Sequence, residues 1–288
     1  MGGLGAAHFC EYVMNFMHIV PTPMLDTFCS EQKHFLTLAH LLQDDVKYAE
    51  WFRNHRASNP KSLIIQDNSA FEQFKRGEPM FPADRLLDLA ESYNPDYIVM
   101  SDYPGEHSSK TIAAAEELAP RFKRAGYGTF FVPQSEVSDI EDYIQCVSWA
   151  VESPLVDYIG VSILGVPNAY GVEQGNKLQR FMSRWSMMHE LRYRGILRRA
   201  YLNNKRIHFL GLVDGPQEVK LCSEFNINTW DSSAASWYGL NGIEFDNSPT
   251  GALNGKFEKE VDFDLYTTDN GLITKAKNNM RKLDNLCQ

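Results

Sequence analysis

The sequence predicts an α/β fold, a single (β/α)8 TIM barrel domain that covers residues 1–288. Short, nearly continuous runs of Ile, Val, Leu, Phe and Tyr recur along the chain, as in strands buried on both faces of a parallel sheet. Amphipathic helical segments lie between several of these runs, at a spacing of roughly 30 residues that indicates βαβ units. The length of 288 residues also fits one barrel, since such barrels take about 250 residues.

Seven of these runs are predicted to be strands, and an eighth is weaker. In chain order they are Tyr12–Val20, Ser62–Asp67, Asp96–Asp102, Gly128–Gln134, Tyr158–Ile163, Arg206–Leu212, Asn226–Asp231 and the weak Gly242–Asp246. A count of eight favours a barrel over an open sheet.

The helices between the strands are predicted from apolar residues spaced three or four apart. They cover Asp84–Tyr93, Thr111–Ala125, Ile140–Val151 and Lys177–Tyr201, followed by a last helix over Thr274–Leu286. We interpret residues from about 175 to 205 as a basic helical insertion in the barrel. Residues from about 247 to 288 are predicted to form a short C-terminal extension.

Composition argues against several classes of protein. Hydrophobic residues make up 43% of the chain and charged residues 23%, which is typical of a globular protein. No run of 18 apolar residues is present, so we expect no membrane-spanning helix and no membrane partner. The five cysteines show no Cys-x-x-Cys spacing, and the eight histidines show no metal-binding pattern. We therefore expect a cytoplasmic protein without a metal or a cofactor.

The net charge of −9 hides one strongly basic segment. Between Lys177 and Arg206 there are nine basic residues and one acid, Glu190, and aromatic residues lie among them. Arginines neutralise phosphates and aromatic rings stack on bases, so this pattern indicates nucleic-acid binding. The alternative is a peripheral helix whose charges face solvent and whose aromatics pack on the barrel. The predicted nucleic-acid-binding residues are Arg180, Arg184, Arg192, Arg194, Arg198 and Arg199.

Polar residues end four of the predicted strands: Asp67, Asp102, Gln134 and Asp231. In a parallel barrel these ends meet at one face, where active sites lie, although a single Asp there can also cap a helix. Paired carboxylates suit chemistry at the anomeric carbon of a sugar. Further Asp and Gln side chains suit the hydrogen-bonding edge of a guanine-like base. Phe71 is either a base-stacking ring or a core aromatic.

These strand ends carry a family resemblance. The segment 67–72 (DNSAFE) resembles the Asp-Ser-Gly-Gly-Phe-Gln segment of tRNA-guanine transglycosylases. Further pieces resemble that family in the same order over residues of about 60 to 240. They are residues 96–104 (DYIVMSDYP), 132–134 (VPQ), 158–165 (YIGVSILG), 208–213 (HFLGLV) and 230–233 (WDSS).

The resemblance implies a role for each matching residue. Asp231 would be the nucleophile that forms a covalent glycosyl intermediate, and Asp67 the general acid/base. Asp102 and Gln134 would read the purine edge, and Phe71 would stack on the base. Substrate contacts are also expected from Asn68 and, through its backbone, from Gly165. Residues 68–70 are Asn-Ser-Ala where the family has Ser-Gly-Gly, which changes the close backbone approach at that point.

The sequence also departs from the tRNA enzymes. Their Cys-x-Cys-x-x-Cys zinc signature is not found. The chain is in this respect similar to the short zinc-free branch of phages and bacteria that inserts 7-deazaguanines into DNA. This implies exchange of a guanine, in DNA rather than tRNA, for a free 7-deazaguanine such as preQ0, in the host cytoplasm if a phage encodes the chain. A tRNA enzyme, a non-catalytic base- or nucleic-acid-binding subunit and a metal-dependent TIM-barrel hydrolase stay open, as does the oligomeric state.

Overall fold

Eight parallel strands form a nearly closed barrel in the computed structural model, which describes residues 14–173, 175–213, 215–245 and 260–288. The strands are β1 (Asn15–His18), β2 (His34–Leu38), β3 (Leu63–Asp67), β4 (Tyr97–Val99), β5 (Gly128–Phe131), β6 (Tyr158–Ser162), β7 (Arg206–Leu210) and β8 (Thr229–Ser232). Hydrogen bonds link them in the order β1-β8-β7-β6-β5-β4-β3-β2. The end strands β1 and β2 lie side by side. The predicted (β/α)8 barrel is confirmed.

One predicted strand was wrong and another was missed. Gly242–Phe245 follows a helix without joining the sheet, because Gly242 turns the chain with φ of 84° and Phe245 N–H donates to Asn279 Oδ1. Asp246 lies outside the described residues. The missing strand is β2, which pairs in parallel with β3 along its whole length. Its apolar residues continue directly into α2, which begins at Ala39, so the sequence shows no boundary between strand and helix there.

Helices surround the barrel between the strands. They are α1 (Leu25–Phe28), α2 (Ala39–Asp44), α3 (Val46–Ser58), α4 (Ala70–Arg76), α5 (Ala83–Glu91), α6 (Ser108–Arg124), α7 (Ile140–Glu152), α8 (Gly165–Ala169), α9 (Lys177–Tyr193), α10 (Ile196–Leu202), α11 (Pro216–Cys222), α12 (Ala234–Leu240) and α13 (Asn270–Leu286), with short 3₁₀ turns at Thr22–Met24 and Ser223–Phe225.

Aromatic rings fill part of the barrel interior. Phe130 on β5 stacks on Tyr158 of β6 with ring centroids 5.4 Å apart, and it meets His208 of β7 edge-on at 5.3 Å. Gly160 makes room for this layer, since a Cβ there would come within 2.5 Å of the Phe130 ring. The strands thus enclose a packed core, and space for a ligand lies beyond their carboxyl ends.

The predicted insertion packs into the fold, and so does the last helix of the predicted C-terminal extension, whose residues 247–259 lie outside the described residues. The helix predicted over Lys177–Tyr201 divides into α9 and α10 because Gly195 adopts a left-handed conformation with φ of 70°. Helix α13 lies so close to α12 that a Cβ on Gly239 would come within 2.2 Å of the Ala276 backbone. It also contacts α11 and β1, so it forms part of the outer helical layer.

None of the described helices is both long enough and apolar enough to cross a bilayer.

Candidate active site

A cavity of about 560 Å³ opens at the carboxyl ends of the strands. Asp67 is the last residue of β3, and Asp231 lies in β8 next to its end. Asp102 and Gln134 lie three residues beyond β4 and β5, which are shorter than predicted. The structure brings all four side chains together at the cavity surface, where Asn68 and Phe71 also lie.

Asp231 is held by two N–H donors on one of its carboxylate oxygens. His208 Nε2 lies 2.9 Å from Oδ1, and Gly211 N–H donates to the same oxygen at 3.2 Å. Among the described residues, none donates to Oδ2. Because Oδ1 is occupied, Oδ2 is the oxygen that is left for a substrate.

His208 links this carboxylate to the barrel interior. Its ring is fully buried, and Nδ1 lies 2.7 Å from the Thr229 hydroxyl. A carboxylate oxygen accepts hydrogen bonds, so Nε2 is the donor to Asp231, and the Thr229 hydroxyl lies against the other ring nitrogen. The side chains of Thr229, His208 and Asp231 therefore form a chain that fixes the position of the carboxylate.

Asp67 lies in a different electrostatic environment. Burial and the carboxylate of Glu72 raise its pKa well above the usual value, and Asp231 and Asp102 add to this. A backbone N–H from Ser69 donates to its Oδ2 at 2.8 Å and acts in the opposite direction. A carboxyl group with a raised pKa is suited to donate a proton near neutral pH.

The turn after Asp67 has a left-handed residue where the resembling transglycosylase segment has glycine. Ser69 has φ of 56°, a conformation that costs free energy for a residue with a Cβ. Its hydroxyl accepts from the His40 backbone N–H at 3.2 Å and lies 2.9 Å from His40 Nδ1. Burial lowers the pKa of His40 to about 4, so the ring is neutral at physiological pH. This pair stabilises the turn that carries Asp67 and Asn68.

Asp102 is clamped between two amides. Asn68 Nδ2 donates to Oδ1 at 2.7 Å, and Gln134 Nε2 donates to Oδ2 at 2.6 Å. Burial raises the pKa of Asp102 to about 6, while both amides oppose that shift. The other amide atom, Gln134 Oε1, is buried without a hydrogen-bond partner among the described residues. It is therefore a buried acceptor for which the described residues supply no donor.

Gly165 and Phe71 occupy different positions around this cluster. Gly165 starts α8 behind Gln134, and its N–H already donates to Ser162 Oγ at 2.7 Å. A Cβ on Gly165 would lie 2.8 Å from Gln134 Oε1 and 2.9 Å from the Pro133 carbonyl oxygen. The absence of a side chain thus allows the Gln134 amide to lie where it does. Phe71 is 36% exposed at the mouth of the cavity, so it is not a core aromatic.

The prediction that Arg184 binds nucleic acid is corrected by its burial. Its side chain has no exposed surface and lies 3.3 Å from the equally buried Glu218. Its guanidinium donates to the carbonyl oxygens of Leu210 and Gly211 at 3.1 and 3.0 Å. Glu218 in turn accepts from Val213 N–H at 2.7 Å. This ion pair holds the turn whose Gly211 N–H donates to Asp231, and it is not accessible to a phosphate.

The other predicted arginines contact different parts of the fold. Arg192, Arg194 and Arg199 form ion pairs with acidic residues, and Arg180 donates to the Ile163 carbonyl oxygen at 2.8 Å. Arg198 is exposed on α10. The Arg199 partner is Glu152, the last residue of α7, and α10 leads into the start of β7. Arg198 and Arg199 therefore lie toward the end of the barrel opposite the cavity.

Sequence reasoning assigned no role to two side chains that lie beside the carboxyl groups, His208 and Glu72. His208 begins one of the segments that carry the resemblance, but its side chain received no role. The His208 side chain is buried, and one of its hydrogen-bond partners is Asp231. The only sequence signal for this contact was a polar residue among the apolar residues of β7. Glu72 lines the cavity, and burial and Asp231 raise its pKa. Its sequence signal was the acid that stands where the resembling segment has Gln.

The described residues contain no group of three or more His, Cys, Asp or Glu side chains arranged to hold a metal ion.

No protein-family model and no curated protein sequence matches the chain. Its function is therefore inferred from the residues of the cavity and their chemistry.

Proposed function

We propose that the protein exchanges a guanine in a nucleic acid, with DNA as the preferred substrate, for a free 7-deazaguanine such as preQ0. The observation that carries the proposal is that Asp67, Asp102, Gln134 and Asp231 line one cavity at the carboxyl ends of the strands. These are the residues to which the resemblance to guanine transglycosylases assigns the reaction. The choice of DNA depends on the likeness to the short zinc-free branch.

The proposed reaction begins with a displacement at C1′ of the target nucleotide. Asp231 Oδ2 forms a bond to C1′ as the bond between C1′ and guanine N9 breaks. The fixed position of the carboxylate supports this role, since Oδ1 is held by His208 and Gly211. The leaving guanine takes up the proton of Asp67, because burial and Glu72 raise the pKa of this carboxyl group and so favour its protonated form.

The second displacement reverses these steps with a different base. The incoming 7-deazaguanine gives its N9 proton to the Asp67 carboxylate, and its N9 forms a bond to C1′. The bond between C1′ and Asp231 breaks at the same time, which restores both carboxyl groups. The surrounding carboxylates favour the positive charge that develops on the sugar in each step.

Base recognition is assigned to the clamped Asp102. A guanine-like base presents N–H donors on one edge, which match the remaining lone pairs of Asp102 and the unpartnered Gln134 Oε1. A base without those donors would leave buried acceptors unpaired, which costs about 1–3 kcal/mol for each group.

A base-exchange assay tests the proposal. The protein is incubated with preQ0 and single-stranded DNA, duplex DNA or tRNA, and the digested nucleosides are analysed by mass spectrometry. We expect a 7-deazaguanine deoxynucleoside from DNA. Product from tRNA alone would retain the chemistry and overturn the choice of DNA. Product from none of the three would contradict the proposed function.

The nucleophile is tested with Asp231→Asn. Without the incoming base, the unsubstituted protein should form a covalent adduct with the nucleic acid that survives denaturing electrophoresis. Asp231→Asn should form none, while still binding free preQ0. Asp88→Asn, the same chemical change at an exposed position on α5, is the matched control and should form the adduct normally. An adduct on Asp231→Asn would exclude this residue as the nucleophile.

A further inference from the structure

We propose that helix α4 (Ala70–Arg76) is the surface on which the phosphodiester backbone of the nucleic acid docks. The inference rests on the proposed function, since it states where the strand lies while its target base occupies the cavity. It places the phosphate contacts on Lys75 and Arg76 rather than on the arginines of α9 and α10.

The position of α4 provides the first argument. The helix begins three residues after Asp67, and Phe71, Glu72, Lys75 and Arg76 all line the cavity. An enzyme that acts on the glycosidic bond must take the target nucleotide out of the stacked strand. The phosphates on either side of that nucleotide then remain at the mouth of the cavity, which is where α4 lies.

The charges around the cavity provide the second argument. Asp67, Glu72, Asp102 and Asp231 give it an acidic interior. A phosphodiester approaching four carboxyl groups requires cations at the entrance. Lys75 and Arg76 are the only Lys or Arg side chains among the described residues that line the cavity.

Both cations are available to a phosphate. Lys75 forms an ion pair with Glu260 at 2.7 Å, but the two side chains are 47% and 83% exposed. Such an exposed pair contributes little stability, so a phosphate can replace the Glu260 carboxylate at little cost. Arg76 is exposed and forms no ion pair with any described acid.

Two aromatic rings on the same helix complete the surface. Phe71 and Phe74 are 36% and 46% exposed, and Lys75 Nζ lies 5.5 Å from the centre of the Phe71 ring. Exposed rings that alternate with cations are the features that bind single-stranded nucleic acids, because bases stack on the rings while cations meet the phosphates. We assign Phe74 to a base next to the target nucleotide.

Oligonucleotide binding at several salt concentrations tests the proposal. Fluorescence anisotropy is recorded with a labelled, guanine-containing single strand of about 12 nucleotides, as DNA and as RNA. The test variant is Lys75→Gln with Arg76→Gln. The matched control is Arg198→Gln with Arg199→Gln, which removes the same charge from α10 at the other end of the barrel.

The test variant should bind at least about tenfold more weakly at low salt. Two lost phosphate contacts should also make the plot of log Kd against log salt shallower by about 1.4, at about 0.7 for each contact with a single strand. Phe74→Ala should weaken binding by about tenfold through lost stacking, with the salt dependence unchanged. The α10 control should bind like the unsubstituted protein. The same order of effects with DNA and RNA is expected, because the contacts are to the backbone.

Equal binding by the α4 variant and the unsubstituted protein would overturn the proposal, as would loss of binding in the α10 control alone. Binding of free preQ0 by the α4 variant should be unchanged, which shows that the cavity is intact.

The exchange assay separates the two proposals. Exchange that does not depend on Lys75 and Arg76 would overturn the docking surface alone. Binding that depends on α4 without any exchange or adduct would overturn the proposed reaction alone.

Discussion

At the scale of single residues, the environments of the carboxyl groups differ in a way that suits different tasks. Asp231 has one oxygen held by His208 and Gly211. Asp67 has a pKa raised by burial and by the carboxylate of Glu72. Asp102 is buried and satisfied by two amides. Separate environments allow one carboxyl group to be ionised while another carries a proton, as acid–base chemistry requires.

Asp102 leads to a prediction about pH. Its pKa is raised to about 6, so the group is ionised above that pH and protonated below it. Protonation removes an acceptor and places an O–H where the base presents N–H donors. Affinity for free preQ0 should therefore fall as the pH drops through about 6, by about tenfold for each further pH unit if only the ionised form binds.

Isothermal titration calorimetry between about pH 5 and about pH 8 measures this dependence. Asp102→Asn is the control, because it cannot titrate and should bind weakly at every pH. Constant affinity of the unsubstituted protein through this range would show that Asp102 does not accept from the base.

At the scale of secondary-structure elements, a buried ion pair connects α9, the end of β7 and α11. Arg184 donates to two carbonyl oxygens after β7, and Glu218 accepts from Val213 N–H in the same turn. The turn between them provides the Gly211 N–H that donates to Asp231. The packing of α9 and α11 therefore determines the position of the proposed nucleophile.

Removal of Arg184 should be strongly destabilising. Arg184→Met removes the cation that lies beside the buried Glu218 carboxylate, which costs about 3–5 kcal/mol in the free energy of unfolding. Changing Glu218 to Gln in the same chain should recover part of this loss. Arg199→Met, which breaks an exposed ion pair on α10, should cost about 1 kcal/mol or less.

Urea denaturation followed by circular dichroism measures these differences. Equal stability of Arg184→Met and the unsubstituted protein would contradict the structural role assigned to Arg184. Reduced nucleic-acid binding by a fully stable Arg184→Met would restore the original prediction that it contacts the substrate.

At the scale of the whole molecule, the last helix is part of the barrel. Ala276, Met280 and Leu283 of α13 belong to the same hydrophobic core as the strands. Close contact between Gly239 and Ala276 leaves no space between α12 and α13. The C-terminal helix therefore covers the barrel wall beside β1 and does not form a separate extension.

A charge placed on the buried face of α13 should destabilise the entire barrel. Leu283→Asp should lower the free energy of unfolding by more than about 3 kcal/mol, because it removes a core side chain and buries an unpaired carboxylate. Lys277→Asp, on the exposed face of the same helix, should change it by about 0.5 kcal/mol or less. Thermal unfolding followed by both far- and near-ultraviolet circular dichroism distinguishes the two. An unchanged main transition in Leu283→Asp would mean that α13 folds apart from the barrel.

The sequence by itself determined the barrel and the positions of its polar strand ends. Burial on both faces makes a parallel strand a continuous apolar run, and this signal is local enough to be seen without a structure. The run ends where the chain leaves the barrel, so Asp67, Asp102, Gln134 and Asp231 were identified as neighbours at one face. The strand β2 was missed because its apolar residues run directly into those of α2, so no change of pattern marks where the strand ends.

Only the tertiary structure decided which charges face solvent and which partners they have. Arg184 and Arg199 belong to the same basic segment, yet one is fully buried with Glu218 and the other forms an exposed pair at the opposite end of the barrel. His208 meets Asp231 across two neighbouring strands, and Lys75 and Arg76 lie at the cavity mouth because α4 follows β3 there. A charge acts through its distance to other charges and its access to water, and both are set by elements that are far apart in the chain.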